Sequence, residues 1–145
     1  MFDGETVHDN AAVLIEGERI LGVMARRDLS AAVPTETMPD GSWLAPGFID
    51  LQVNGGGDVL FNDDPTPEGI AAIAAAHRRF GTTGLLPTLI TDRAEVMTAA
   101  LKAAHEAVRR NPSILGIHFE GPFLSPGKPG VHNPCLLYTS DAADE

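Results

Sequence analysis

The sequence predicts an α/β fold: a short β-hairpin, then strands and helices alternating around a parallel sheet, as at the start of a barrel or a doubly wound sheet. Three observations predict it. Apolar runs suited to strands recur near residues 47–53, 85–90 and 113–119. Stretches of helical periodicity, with residues that start and stop helices, lie between them. The third of those runs, Ile114-Leu115-Gly116-Ile117, is nearly continuous where a half-exposed strand would alternate. Continuous apolar strands separated by helices mark a parallel sheet covered on both faces.

The elements follow in order. Val13-Leu14-Ile15 and Ile20-Leu21-Gly22-Val23 flank the polar turn Glu16-Gly17-Glu18-Arg19, which reads as a hairpin. Residues 28–42 have the composition of a linker, punctuated by Pro34, Pro39 and Gly41. Residues 47–53 then read as a strand that ends in the loop Asn54-Gly55-Gly56-Gly57. A helix is announced by Thr66 as N-cap, Pro67 at the first position and Glu68 at the positive end. It is expected to run to Phe80, with Gly81 as its left-handed stop. Residues 85–90 form the second strand, where Pro87 demands a bulge or an early end. Thr91-Asp92 is expected to cap a helix from Arg93 to about Arg110, burying Val96, Ala100, Leu101, Ala104 and Val108. Asn111-Pro112 closes it, and residues 113–119 form the third strand.

Composition sets the outer limits. The chain has 145 residues, 43% hydrophobic and 21% charged, which is globular and excludes a disordered or collagen-like polymer. A formal charge of −10 argues against a surface built to bind phosphate backbones. The single cysteine, Cys135, forms no internal disulfide, so nothing points to an oxidising compartment. No apolar run reaches the ~20 residues of a membrane span, and Met1-Phe2-Asp3-Gly4-Glu5 has no signal-peptide character. The expectation is a cytoplasmic acidic protein with no nucleic-acid or membrane partner.

In parallel α/β sheets, chemistry collects beyond the carboxyl ends of the strands. Glu120 follows an apolar strand directly and precedes Gly121-Pro122, so its carboxylate is held at such an end. That suits a divalent metal; an acid solvated at a strand end is the alternative reading. His118 shares the side of Glu120 and reads as a histidine satisfied in the core, with a metal-binding role left open. His132, in Gly130-Val131-His132-Asn133-Pro134, lies on a loop at the same end, where ligand contacts concentrate. His77 and His105 read as solvated helix residues, and His8 carries no signal. Gly55-Gly56-Gly57 suits either a weak phosphate cradle or a tight turn with positive φ. Cys135 has no electropositive neighbours and is not a nucleophile.

Taken together, these motifs resemble a known family. Ala45-Pro46-Gly47-Phe48-Ile49-Asp50 resembles the strand that opens the barrel in the amidohydrolase superfamily. Most members carry His-x-His at its end; here those positions are Gln52 and Asn54. With Leu86-Pro87-Thr88-Leu89-Ile90-Thr91, His118-Phe119-Glu120-Gly121-Pro122-Phe123-Leu124 and the His132 loop, the chain resembles the N-acetylglucosamine-6-phosphate deacetylases from Phe2 to Pro134.

The resemblance implies a (β/α)8 barrel preceded by part of a small β-sandwich. Residues 1–42 would be the sandwich segment and linker, and residues 43–134 the first part of the barrel. It implies hydrolysis of N-acetyl-D-glucosamine 6-phosphate to D-glucosamine 6-phosphate and acetate by a homo-oligomeric enzyme with one zinc or iron ion per subunit. Glu120 matches the family's metal-ligand glutamate. His132 and the backbone of Val131 match the loop that contacts the sugar phosphate. Gln52 and Asn54 line the site, and neutral amides are poor ligands for zinc-like ions, which agrees with a single metal.

The family's catalytic aspartate and two histidine ligands have no match in this chain. After Pro134 the resemblance stops. Residues 135–145 are expected to be a non-native tail, and the beginning is expected to be clipped. The chain by itself is therefore expected to be inactive. The alternatives are another metal-dependent amidohydrolase and a non-catalytic α/β fragment.

Overall fold

The computed structural model describes residues 1–138. They fall into two compact units, which divide after Pro46. In the first, β1 (Ala11–Glu16) and β2 (Arg19–Ala25) pair antiparallel, as the hairpin motif predicts. Gly17, at φ 58°, supplies the left-handed turn residue. A register shift between Leu14 and Ile15 bends the ribbon. A single 3-10 turn, Arg26–Asp28, follows, and residues 29–46 carry no further regular element. Besides this two-stranded sheet, the first unit holds one isolated bridge, between Phe2 and Val7.

His8 does carry a local role. Its Nε2 lies 2.6 Å from Asp3 Oδ2, while the amides of Thr6 and Glu5 donate to Asp3 Oδ1. The Thr6 amide first, then His8 and the Glu5 amide, hold the Asp3 carboxyl well below the usual carboxylate range. The sign follows from that direction: this turn is favoured at neutral pH and loosens as acid protonates Asp3.

The second unit contains the parallel sheet. β3 (Phe48–Val53) leads through a small hairpin, β4 (Gly55–Gly56) and β5 (Val59–Leu60), into α1 (Pro67–Arg78). β6 (Thr82–Ile90), α2 (Ala94–Arg110) and β7 (His118–Glu120) complete two βαβ crossovers. The sheet order is β3-β6-β7, all parallel. The glycine-rich segment is thus a turn: Gly57 and Asp58 both have positive φ, 62° and 65°, the signature of a two-residue type I′ hairpin.

Thr66 caps α1 as expected, its side chain accepting from the Gly69 amide at 3.0 Å, with Pro67 at the first position. The helix ends at Arg78, two residues before Phe80, and Gly81 (φ 96°) redirects the chain into β6. Pro87 disturbs the ladder as its chemistry requires. The β3–β6 register shifts between Asp50 and Val53, and the Val53 amide donates to the Thr88 hydroxyl at 3.0 Å.

Three expectations need correction. Thr91-Asp92 does not cap α2: its N-cap is Arg93, without a side-chain cap, and Asp92 accepts from the Arg93 amide. The buried face of α2 is Ala100, Ala103, Ala104 and Ala107, while Leu101 (53%) and Val108 (41%) are exposed. Methyl-sized residues let the helix sit close to the core, so the packed stripe turned toward alanines and away from the larger side chains. The third strand is shorter than residues 113–119. Leu85 bridges Ile114 and Thr88 pairs with His118, so one extra residue bulges between the two pairings.

The core consists of Val53, Phe61, Ile70, Ile73, Leu85, Leu89 and Ile114, with the α2 alanines. The expected cover on both faces is incomplete: Phe48, Ile49 and Leu51 of the edge strand β3 stay 63–68% exposed. Among the described residues, no helix is long and apolar enough to cross a membrane. The reading of residues 135–145 as a non-native tail falls mainly outside the described residues. Pro134–Leu136 forms a 3-10 turn, and Cys135 is exposed.

Candidate active site

All three strand ends predicted to carry chemistry meet at one rim. β3 brings Gln52 and Asn54, β6 brings Thr88 and Thr91, and β7 brings Glu120. Gln52, Asn54, Leu60, Asn62, Ile90, Glu120 and Val131 line an open cleft of about 240 Å³ there. A parallel sheet places every strand's carboxyl end on the same side, so residues 52, 91 and 120 gather without being neighbours in sequence.

Glu120 is the centre of the group. Asn54 Nδ2 donates to Glu120 Oε2 at 3.4 Å, and His132 Nε2 lies 3.5 Å from Glu120 Oε1. The carboxylate keeps 29% of its side-chain surface exposed, whereas His132 keeps 6%. The loop beyond β7 therefore folds back and buries His132 against the strand ends. Val131, one residue earlier, is 82% exposed, and only its proximity to the cleft supports the role implied for its backbone. Gln52 lines the cleft but is exposed.

Thr91 joins the pieces. Its hydroxyl donates to the Glu120 carbonyl at 3.3 Å and lies 2.9 Å from His132 Nδ1. Gly121 permits this, since a Cβ there would fall 2.1 Å from Thr91 Oγ1, and its φ is 94°. His118 is half-buried and satisfied by Thr88 Oγ1 at 3.2 Å, in agreement with the core reading. His77, expected to be solvated, is half-buried, with Nε2 2.9 Å from the Gly55 carbonyl; His105 is exposed.

Sequence reasoning missed Asn62. Its side chain donates to the Ile90 carbonyl and accepts from the Ile90 amide, both at 3.1 Å, and also donates to Asp92 at 2.9 Å. It thus acts as a strand neighbour for the last residue of β6. An asparagine just after an apolar hairpin carries no sequence signal for such a role. Thr88 and Thr91 were visible in the strand-end motif, but hydroxyls attract no attention until their partners are placed.

The metal implied by the resemblance can be tested against these donors. Glu120 Oε1 is the carboxylate donor a zinc-type ion would take, and His132 Nε2 stands 3.5 Å from it. Among the described residues, no three His, Cys, Asp or Glu side chains come together. Catalytic zinc-type ions take three protein ligands, so the described donors fit part of such a centre and do not complete one.

A scan of protein-family models finds no match. Relatives are nevertheless found among curated proteins. The chain is 56% identical over 95 residues to an N-acetylgalactosamine-6-phosphate deacetylase of a Shewanella species, covering 65% of this chain and 24% of that protein. It is 40% identical over 124 residues to the N-acetylglucosamine-6-phosphate deacetylase of Haemophilus influenzae, covering 85% of this chain and 32% of that protein. The chain is a homologue of the N-acetylglucosamine-6-phosphate deacetylases.

Solved structures of these deacetylases agree. The Pasteurella multocida enzyme superposes with a TM-score of 0.80 at 30% identity, over 96% of this chain and 37% of that one. A Mycobacterium smegmatis variant in complex with N-acetyl-D-glucosamine-6-phosphate gives 0.69 at 28% identity, over 92% of this chain and 34% of that one. The chain thus spans about a quarter to a third of the curated deacetylases it matches. The α/β arrangement with a parallel sheet is common to this chain and the deacetylase structures it matches.

Proposed function

We propose that this segment contributes Glu120 and the Val131–His132 loop to a site that hydrolyses the amide of N-acetyl-D-glucosamine 6-phosphate. The products are D-glucosamine 6-phosphate and acetate. One observation carries the reading: Glu120 and His132 converge to 3.5 Å at the carboxyl end of a parallel sheet, in a chain homologous to deacetylases of amino-sugar phosphates. The remaining barrel strands, the catalytic aspartate and two histidine ligands belong to the parent enzyme in this reading.

In this proposal Glu120 is one ligand of a divalent ion, zinc or iron. Such an ion, when bound, polarises the acetyl carbonyl and acidifies a water. Asn54 holds the second carboxylate oxygen and fixes the rotamer of Glu120. His132, buried and braced by Thr91, meets the substrate through Nε2. The Val131 backbone and Gln52 complete the wall of the cleft. The parent enzyme is read as a cytoplasmic homo-oligomer with a small phosphorylated amino sugar as its partner.

The 56%-identical Shewanella relative favours a second reading, in which the sugar is the galactosamine epimer. The epimers differ only in the orientation of one hydroxyl. A Haemophilus influenzae deacetylase carrying this chain's residues in place of its own matching segment tests both readings. Activity on N-acetylglucosamine 6-phosphate is expected, and a preference for the galactosamine substrate would favour the second. An inactive but folded chimera would overturn both.

In that chimera, His132→Ala is expected to reduce kcat/KM by about 1.5–3 kcal/mol, roughly 10- to 150-fold, the value of a hydrogen bond to a charged group. Unchanged kcat/KM would return His132 to a structural role. The 145-residue chain alone, with zinc added, is expected to show no turnover, because its described residues do not assemble three ligands. Measurable acetate release would contradict this.

A further inference from the structure

We infer that Thr91 is a positioning residue for His132: its buried hydroxyl fixes the imidazole with the proton on Nδ1 and leaves Nε2 as an acceptor facing the cleft. The inference rests on the reading of Glu120 and His132 as site residues, but its physical basis is independent of any substrate. Thr91 and His132 are 6% and 7% exposed, so neither is satisfied by bulk water. A hydroxyl has one proton and two lone pairs. The Glu120 carbonyl, 3.3 Å away, can only accept, and the inference gives it the Thr91 proton. With the hydroxyl proton placed there, His132 Nδ1, 2.9 Å from the same oxygen, is the donor. Nε2 keeps its lone pair and looks toward Glu120 Oε1 at 3.5 Å. Two acceptors thus converge on one point, an arrangement that receives a cation or a donor from a ligand.

The same hydroxyl ties two chain segments together. Through the Glu120 carbonyl it holds the end of β7, and through the imidazole it holds the loop beyond it. Gly121 leaves the room this requires, because a Cβ there would overlap Thr91 Oγ1 at 2.1 Å. A threonine thereby couples the placement of the carboxylate to that of the imidazole.

Long-range proton–nitrogen correlation spectra of the 15N-labelled 145-residue chain, in alkaline solution without metal or substrate, test this. His132 is assigned by the signal lost in His132→Gln. His77 is the internal reference: its Nε2 faces the Gly55 carbonyl at 2.9 Å, so it must show the Nε2–H form in every folded variant. The wild-type chain and Thr91→Ser are expected to show His132 with a pyrrole-type Nδ1 and a pyridine-type Nε2. Thr91→Val, which keeps the shape and removes the hydroxyl, is expected to lose that signature while His77 is unchanged.

An Nε2–H form of His132 in the wild type would overturn the inference, as would an Nδ1–H form that persists in Thr91→Val. Should Thr91→Val also lose the His77 signature, the wild type and Thr91→Ser decide, and both must show the Nδ1–H form. Because no turnover is measured, this result stands apart from the fate of the deacetylase reading.

Discussion

Glu120→Gln, placed in the Haemophilus influenzae chimera, is expected to lose bound metal and at least about 100-fold in kcat, since losing an electrostatic contribution of several kcal/mol costs tenfold per 1.4 kcal/mol. Glutamine conserves the shape of the side chain and its contact with Asn54, so the 3.4 Å hydrogen bond can be kept in altered form. What disappears is the negative charge, and a neutral amide oxygen binds zinc-like ions poorly. Elemental analysis and turnover should fall together. Normal metal content with normal activity would remove Glu120 from the site. Normal metal content with reduced activity would keep it there as a polar contact and discard its role as ligand.

The largest effect on stability is expected from Phe61→Ala. Phe61 is fully buried (0% exposed) just after the β4–β5 hairpin, and belongs to the same core as Ile70, Ile73 and Leu89. Removing its ring should cost about 3–5 kcal/mol, transfer energy plus the cavity left behind. That is a large part of the ~5–15 kcal/mol that typical domains possess. Leu101→Ala, on the exposed side of α2, is expected to stay within about 0.5 kcal/mol. The two midpoints in urea unfolding check the corrected helix face directly. A large loss at Leu101 with little at Phe61 would restore the face that periodicity alone favoured.

That helix shows where local reading stops. Val96, Ala100, Leu101, Ala104 and Val108 form as good a stripe as Ala100, Ala103, Ala104 and Ala107, and a one-dimensional pattern does not rank them. The ranking came from how closely α2 approaches its neighbours, which alanine permits and leucine resists. His77 is a similar case. A histidine within a helix reads as solvated, and only the type I′ turn of the preceding hairpin brings the Gly55 carbonyl to its ring. The third strand misled for a different reason: Gly116 lies in a continuous apolar run, and nothing local reveals that a residue there is extruded from the ladder.

The main strands and helices in order, the cap of α1, the break at Pro87 and the candidacy of Glu120 and His132 are legible in the sequence, whereas the β4–β5 hairpin is not. These are local properties: the φ of proline, the reach of a threonine hydroxyl to an amide, the abrupt end of an apolar run at a carboxylate. Tertiary structure alone decided which polar groups meet. It placed Asn54 on one oxygen of Glu120, His132 on the other, and Thr91 between loop and strand, although their sequence separations reach 66 residues. Parallel pairing brings distant strand ends to one rim, and there the buried Thr91 hydroxyl meets both the Glu120 carbonyl and the His132 ring.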